Sequence, residues 1–151
     1  LHEVLHGIAK HFGLEIESGE FTPFLYGATV SGSNSYASQL GVYTKINDML
    51  FFNIRLHISE KDAAMDGQLR VGGLPVNSKN LFGYRASVSI GILNGVSYGT
   101  YKEITAVINA NSNFINLNKT VDNMSSIQEP LLPADVGGLF FIGLSGFYKS
   151  N

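Results

Sequence analysis

The first six residues carry the pattern with the clearest chemical potential in the chain. His2, Glu3 and His6 match the HExxH signature of zinc metallopeptidases. On a helix, residues i and i+4 share one face, so two imidazoles there are placed to ligate zinc while the glutamate activates a zinc-bound water. The pattern therefore raises the hypothesis of a zinc metallopeptidase that uses residues 2–6.

The residues that follow the motif argue against this hypothesis. The metzincin form of the signature needs a glycine three residues and a histidine six residues after the second histidine, and Ala9 and Phe12 stand there. His11 falls one position short, and we find no second helix that would supply a glutamate ligand. We therefore expect no metal site, no cofactor and no enzymatic activity.

Other catalytic patterns are weaker. The chain has no cysteine and no GxSxG motif, and His57 falls on the polar side of a predicted strand with no nucleophile beside it. A hydrolase triad is therefore not expected.

Four tyrosines suggest a binding function instead. Tyr36, Tyr84, Tyr98 and Tyr101 lie in or near turns rich in Asn, Gly and Ser. An aromatic face beside amides and hydroxyls suits a sugar ring, which stacks on the aromatic group and donates hydrogen bonds to its neighbours. These tyrosines are our predicted carbohydrate-binding residues. The alternative is that they are ordinary strand-end residues that pack at the rim of the core.

Composition limits the classes of protein that the chain can belong to. Its 151 residues include 10 Lys and Arg against 12 Asp and Glu, so the formal charge is −2, and no apolar run approaches 18 residues. Such a chain cannot neutralise many phosphates, which excludes a dedicated nucleic-acid binder, and no segment is predicted to span a membrane. Only 15% of residues are charged, and 17 are Gly. Abundant Gly, Ser and Asn favour turns and short strands, so we expect an all-β domain.

Residues 1–13 are predicted to form a short helix. Leu1, Leu5, Ile8 and Phe12 follow one another in steps of 4, 3 and 4 residues, which is typical of a coiled-coil seam. A helix this short is marginal in water, so its apolar stripe needs a partner. Either it packs on its own domain or it ends an oligomeric stalk. Because the chain begins at Leu1 and not at Met, we expect it to be the end piece of a longer protein.

After a predicted linker at 14–20, the hydrophobic period changes to two residues. The clearest strand is Met49–Ser59, with one face formed by Phe52, Ile54, Leu56 and Ile58. The strand Tyr84–Ile92 similarly places Ala86, Val88, Ile90 and Ile92 on one face. Further strands are predicted at Phe21–Val30, Gly41–Ile46, Gln68–Val71, Tyr101–Ile108, Phe114–Leu117 and Leu139–Tyr148.

Eight short strands separated by turn signals, such as Asn94-Gly95, predict an antiparallel, jelly-roll-like β-sandwich over residues 21–151. Residues 118–138 contain two prolines and are predicted to form a long surface loop.

The last predicted strand is apolar on both faces. Phe141 and Phe147 alternate with a face that carries Phe140 and Ile142. One face of a sandwich strand normally meets water, so a loop or a neighbouring subunit must cover the second face.

Three segments of the chain resemble one known family. Gly19–Gly27, Tyr36–Ile46 and Gly73–Pro75 match, in this order, the opening strand "G-x-[WF]-T-P-x-L-x-G", the "Y-x-x-Q-x-G-x-Y-T-K-I" segment and the "G-L-P" turn. These recur in the C-terminal β-sandwich of tailed-bacteriophage tail fibres, tailspikes and neck appendages. The resemblance covers residues 19–148. Phe21 replaces the commoner Trp, and no family-wide ligand residues are carried over.

The resemblance implies a homotrimer on the virion, at the distal end of a fibre or spike, that binds bacterial surface polysaccharide and joins the rest of the phage tail. We therefore expect a receptor-binding domain without catalytic activity. Its trimer interface would contain Leu1, Leu5, Ile8, Phe12, Phe141 and Phe147. The alternatives are a trimerisation and folding module of the same protein, the zinc metallopeptidase and, less in keeping with the resemblance, an animal trimeric signalling jelly roll.

Overall fold

The computed structural model describes residues 1–97, 101–121 and 128–151. In these residues, one helix precedes a series of antiparallel strands and a 3-10 turn. The elements are α1 (His2–His11), β1 (Ile16–Phe21), β2 (Phe24–Gly27), β3 (Ser35–Ile46), β4 (Met49–Glu60), β5 (Leu69–Gly72), β6 (Arg85–Val96), β7 (Tyr101–Asn109), β8 (Ile115–Val121), β9 (Glu129–Pro130), the 3-10 turn Pro133–Asp135 and β10 (Val136–Lys149). The predicted all-β antiparallel class is confirmed. No helix in the described ranges has both the length and the apolar character needed to cross a membrane.

The strands join in one curled sheet. Its order is β1-β3-β4-β10-β6-β7-β8-β5-β2, and β9 pairs with β8. The edge strands β1 and β2 are separated in the chain by only Thr22 and Pro23, so the sheet must curl until its two edges approach each other. Pro23 divides the predicted strand Phe21–Val30 because proline has no N–H to donate to a ladder.

The concave side of the sheet contains the hydrophobic core. The predicted alternation of β4 is confirmed, because Phe52, Ile54, Leu56 and Ile58 are buried while Asn53 is exposed. Burial of each such side chain contributes about 1.5–3 kcal/mol. Tyr148 closes one end of the core, where its hydroxyl donates to the Val76 carbonyl at 2.7 Å and burial raises its pKa well above the usual value.

The predicted linker at 14–20 contains a strand. β1 pairs with β3 from Ile16↔Ile46 to Phe21↔Gly41, and the Ser18 and Thr44 hydroxyls lie 3.1 Å apart. Most of its side chains are exposed, so the strand has no apolar alternation that sequence inspection could detect. It is stabilised by ladder hydrogen bonds along the sheet edge.

A bulge changes the predicted orientation of side chains in β6. Ile90 pairs with Leu144 and Ile92 pairs with Gly143, so Gly91 is an extra residue on this strand. Ala86 and Val88 face the core as predicted, but the assignment of Ile92 to the buried face is wrong, since its side chain is 46% exposed. The predicted turn at Asn94-Gly95 is also wrong, because β6 continues to Val96.

The predicted loop at 118–138 is largely structured where it is described. Its first residues extend β8, and its last residues begin β10. Between them Leu131 is fully buried, and Lys119 Nζ lies 2.9 Å from the Asp135 carboxylate. Residues 122–127 lie outside the described ranges.

Gly95 should be the least replaceable position of β6. Its φ is +83°, and a Cβ atom would lie 2.0 Å from the Leu139 carbonyl oxygen. We expect Gly95→Ala to lower the free energy of unfolding by roughly 1–3 kcal/mol. Gly91→Ala is the matched control on the same strand, because no atom lies within 4 Å of its Cβ position. Chemical denaturation of both variants measures the difference, and equal stability would contradict the strained geometry.

Candidate functional site

The convex side of β3, β4, β10 and β6, here called the outer face, carries the exposed aromatic residues of the last strand. Strand register arranges its side chains in rows across the sheet. One row contains Ser38, His57, Phe141 and Asn94, and a second, six residues along β10, contains Phe51 and Phe147. Six strand residues correspond to about 20 Å, so the two rows form separate ends of this face.

The Phe51–Phe147 end is apolar. The ring centroids lie 5.8 Å apart, and the side chains are 43% and 58% exposed. Val42 and Phe51 line the same shallow hollow, and Val42 is also exposed. We call Val42, Phe51 and Phe147 the aromatic patch. An exposed apolar group of this kind is typical of a contact surface.

The opposite end contains a cavity of about 340 Å³, here called the Arg55 cavity. Its lining residues are Arg55, His57, Asn94, Gly95, Leu139, Phe140 and Phe141. The Arg55 guanidinium carbon lies 5.3 Å from the centre of the Phe141 ring, and the His57 ring meets the edge of Phe141 at a centroid distance of 5.3 Å. A cation, an imidazole and an amide thus surround one partly exposed aromatic ring.

An irregular strand pairing forms one wall of this cavity. Val96 pairs with Val136 and Asn94 pairs with Phe141, so Gly95 alone faces the four residues 137–140 of β10. Within this bulged segment, Phe140 still pairs with Ile58 of β4, and Leu139 is 65% exposed. Gly95 allows the Leu139 carbonyl to approach because it has no side chain.

The charge of the Arg55 cavity is positive. Among the described residues, none of those that line it is acidic, and Arg55 has neither a hydrogen bond nor an ion pair there. Its contact with Phe141 orients the guanidinium but leaves its N–H donors available. The cavity is therefore suited to an anionic group.

The predicted carbohydrate-binding tyrosines do not form one site in the described ranges. Tyr36 lies opposite Ile58 of β4, whereas Tyr84 accepts a hydrogen bond from the Lys149 N–H, opposite Met49. Nine residues of β4 separate these positions, which is about 30 Å. Tyr98 lies outside the described residues, and for Tyr101 only the backbone, at the start of β7, is described.

Tyr36 and Tyr84 have structural roles in this arrangement. The Tyr36 hydroxyl accepts from the Leu25 N–H at 3.0 Å and lies 3.3 Å from the Leu25 carbonyl. Both tyrosine side chains are half-buried and pack against the core. This geometry fits the alternative of tyrosines at the rim of the core.

The HExxH residues lie on α1 as predicted, with the His2 and His6 rings 6.4 Å apart. All three side chains are exposed. A search of the described residues finds no group of three or more potential metal ligands. Glu17, which lines a cavity with both histidines, accepts a hydrogen bond of 2.6 Å from Tyr43, and this bond raises the Tyr43 pKa.

No described residue buries the apolar stripe of α1. Leu1 is 94% and Phe12 is 74% exposed, and Leu5 and Ile8 are also exposed. The helix therefore does not pack its stripe on its own domain, which was one of the two predicted arrangements.

Comparison with known proteins finds a solved structure with a similar fold. No protein-family model matches the sequence, and neither does a curated protein sequence. Among solved structures, the crystal structure of the Dettilon tailspike protein gp208 matches with a TM-score of 0.73 and 20% identity. The chain has a tailspike-like fold. The match covers 90% of this chain but only 24% of the tailspike, so this chain spans about a quarter of that protein's length.

The Arg55 cavity was not predicted from the sequence. The alternation of β4 did place Arg55 and His57 on one face, but Asn94 was assigned to a turn. Only the register of β4, β10 and β6 brings these side chains to the same ring, and no local signal encodes that register.

Tyr36→Phe should lower stability. The change leaves the half-buried Leu25 N–H without its described side-chain partner, which costs about 1–3 kcal/mol. Tyr43→Phe is the matched control on the same strand, since its hydroxyl bonds only to an exposed carboxylate, and its unfolding midpoint should not change. Denaturant titration of both variants tests this. If Tyr36→Phe does not change stability, a structural role of the Tyr36 hydroxyl is contradicted and ligand binding is the better explanation of its presence.

Proposed function

We propose that this chain is the receptor-binding C-terminal domain of a trimeric phage tailspike or tail fibre, carried on the virion. The observation that supports this best is the similarity of nearly the whole domain to part of a tailspike. A fold by itself does not imply a function, so the proposal rests equally on the surfaces that the fold exposes.

Two surfaces support a homotrimer. The α1 stripe has the spacing of a coiled-coil seam and is exposed, and the aromatic patch exposes Phe51 and Phe147 on the outer face. A short helix with an unburied stripe is unstable in water, and three copies around one axis would bury three stripes together. In this proposal Phe147 and the stripe residues make the subunit contacts.

Bacterial surface polysaccharide is the proposed receptor. The domain has little charge and many Asn, Ser and Gly residues, which suits a stable surface that forms hydrogen bonds with sugar hydroxyls. Individually weak contacts become strong when a repeating polymer meets three linked copies of one domain. We propose no catalytic step for this domain, since His2 and His6 have no third ligand within the described residues.

The aromatic patch provides a test of assembly. Light scattering should give a mass of about 49 kDa, three times the 16.4 kDa of one chain. Phe147→Ser removes buried apolar area from each subunit, about 1.5–3 kcal/mol per side chain, so the dissociation midpoint should rise at least tenfold in concentration. Leu132→Ser is the control, because Leu132 is exposed outside the outer face. A monomeric, fully folded wild-type domain at micromolar concentration would contradict the trimer.

Intact virions distinguish a receptor-binding domain from a folding module. An antibody against residues 21–151 should bind purified virions, and added purified domain should slow adsorption to host cells. If the domain is absent from virions, it acts as a cleaved assembly module. If it is present but does not compete for adsorption, the receptor-binding proposal is wrong.

A further inference from the structure

We propose that the Arg55 cavity binds a carboxylate-bearing sugar unit of an acidic polysaccharide. This inference rests on the proposed function, because it names the class of receptor that the domain would recognise. It concerns Arg55, His57, Asn94 and Phe141, none of which sequence analysis assigned to ligand binding.

The unpaired guanidinium carries the argument for a carboxylate. Arginine presents planar N–H donors that match the two oxygens of a carboxylate, and charge-assisted bonds of this type are roughly twice as strong as neutral ones. In the described part of the chain, Arg55 has no carboxylate partner, and its contact with Phe141 holds it beside the cavity. An arginine oriented by an aromatic ring loses less entropy when it binds an anion.

The remaining walls favour a sugar over a small inorganic anion. Phe141 and Leu139 provide apolar surface for the C–H face of a pyranose ring, while Asn94 and His57 provide donors and acceptors for hydroxyls. The volume of about 340 Å³ lies at the lower end of the range for small-molecule sites, which suits one or two sugar units. A phosphate ion would use the guanidinium but not these walls.

The location of the cavity is compatible with trimer assembly. Phe141 lines the cavity, whereas Phe147 lies about 20 Å away along the same strand, in the aromatic patch. The outer face would thus use one end for subunit contact and the other for ligand. Phe141, predicted as an interface residue, is reassigned to the ligand site in this proposal.

The test compares acidic glycans with their neutral counterparts on the assembled domain. The probes are size-defined oligomers of galacturonic, glucuronic and N-acetylneuraminic acid. The control for each is the same oligomer with its carboxyl groups reduced to neutral alcohols. We expect at least one acidic oligomer to bind, with at least a tenfold loss of affinity after reduction. As a competitor for the bound oligomer, inorganic phosphate should need at least a tenfold higher concentration of anionic groups than the free oligomer does.

Charge-matched variants locate the site. Arg55→Gln should reduce affinity for the acidic oligomer at least tenfold and leave the trimer mass unchanged, because its side chain is exposed and lies away from the aromatic patch. Arg85→Gln makes the same change of charge on β6, nine residues or about 30 Å from Asn94, and should bind as wild type does. Phe141→Leu should lower the affinity for the acidic oligomer by a larger factor than the affinity for inorganic phosphate, because the phosphate does not use the aromatic ring.

The outcomes separate this inference from the proposed function. Equal effects of Arg55→Gln and Arg85→Gln, equal binding of reduced oligomers, or competition by phosphate at the same concentration would each overturn the acidic-sugar site. So would binding of none of the acidic oligomers. If the domain nevertheless blocks adsorption to host cells, the receptor-binding function stands with a different site. If it also fails to block adsorption, both proposals are wrong.

Discussion

Every central strand of this sheet has two faces, and the buried apolar side chains of the described residues form one hydrophobic core. Successive side chains of a strand point to opposite sides, so a curled sheet that buries its concave side leaves its convex side uncovered. In β4 and β10 the buried side chains, such as Phe52, Ile54 and Leu144, therefore alternate with side chains that point to the outer face. On β10 the outer-face residues include two aromatic side chains, Phe141 and Phe147. The surfaces to which we assign function are consequences of this constraint.

Irregular pairing of β6 and β10 locally changes which side chains face outward. The extra residue Gly91 turns Ile92 outward and Leu93 toward the core, and the bulged residues of β10 opposite Gly95 open the cavity beside Arg55. Bulges next to binding sites commonly redirect side chains in this way.

Assembly and recognition have different physical requirements, and in our proposals they use separate ends of the outer face. Phe51 and Phe147 provide apolar area with no charge between them, which suits contact with another copy of the chain. Arg55 and His57 surround Phe141 with donors, which suits a polar ligand. A trimer built in this way would present three identical cavities to one polymer. Repetition along the polymer would then compensate for weak binding at each cavity.

Local patterns in the sequence determined the fold class and which faces of single elements are apolar. The two-residue period of β4 specifies its buried face, and the 4, 3, 4 spacing specifies the stripe of α1, because both follow from the geometry of a single element. The all-β class follows from composition and the alternating strands. The tertiary structure decided the strand status of residues 16–21, the outward orientation of Ile92 and the structural contacts of Tyr36 and Tyr84. It also decided the Arg55 cavity, because Arg55, Phe141 and Asn94 are distant in sequence and meet only through pairing of β4, β10 and β6. Pairing register depends on interactions between strands, so no inspection of one strand at a time could reveal it.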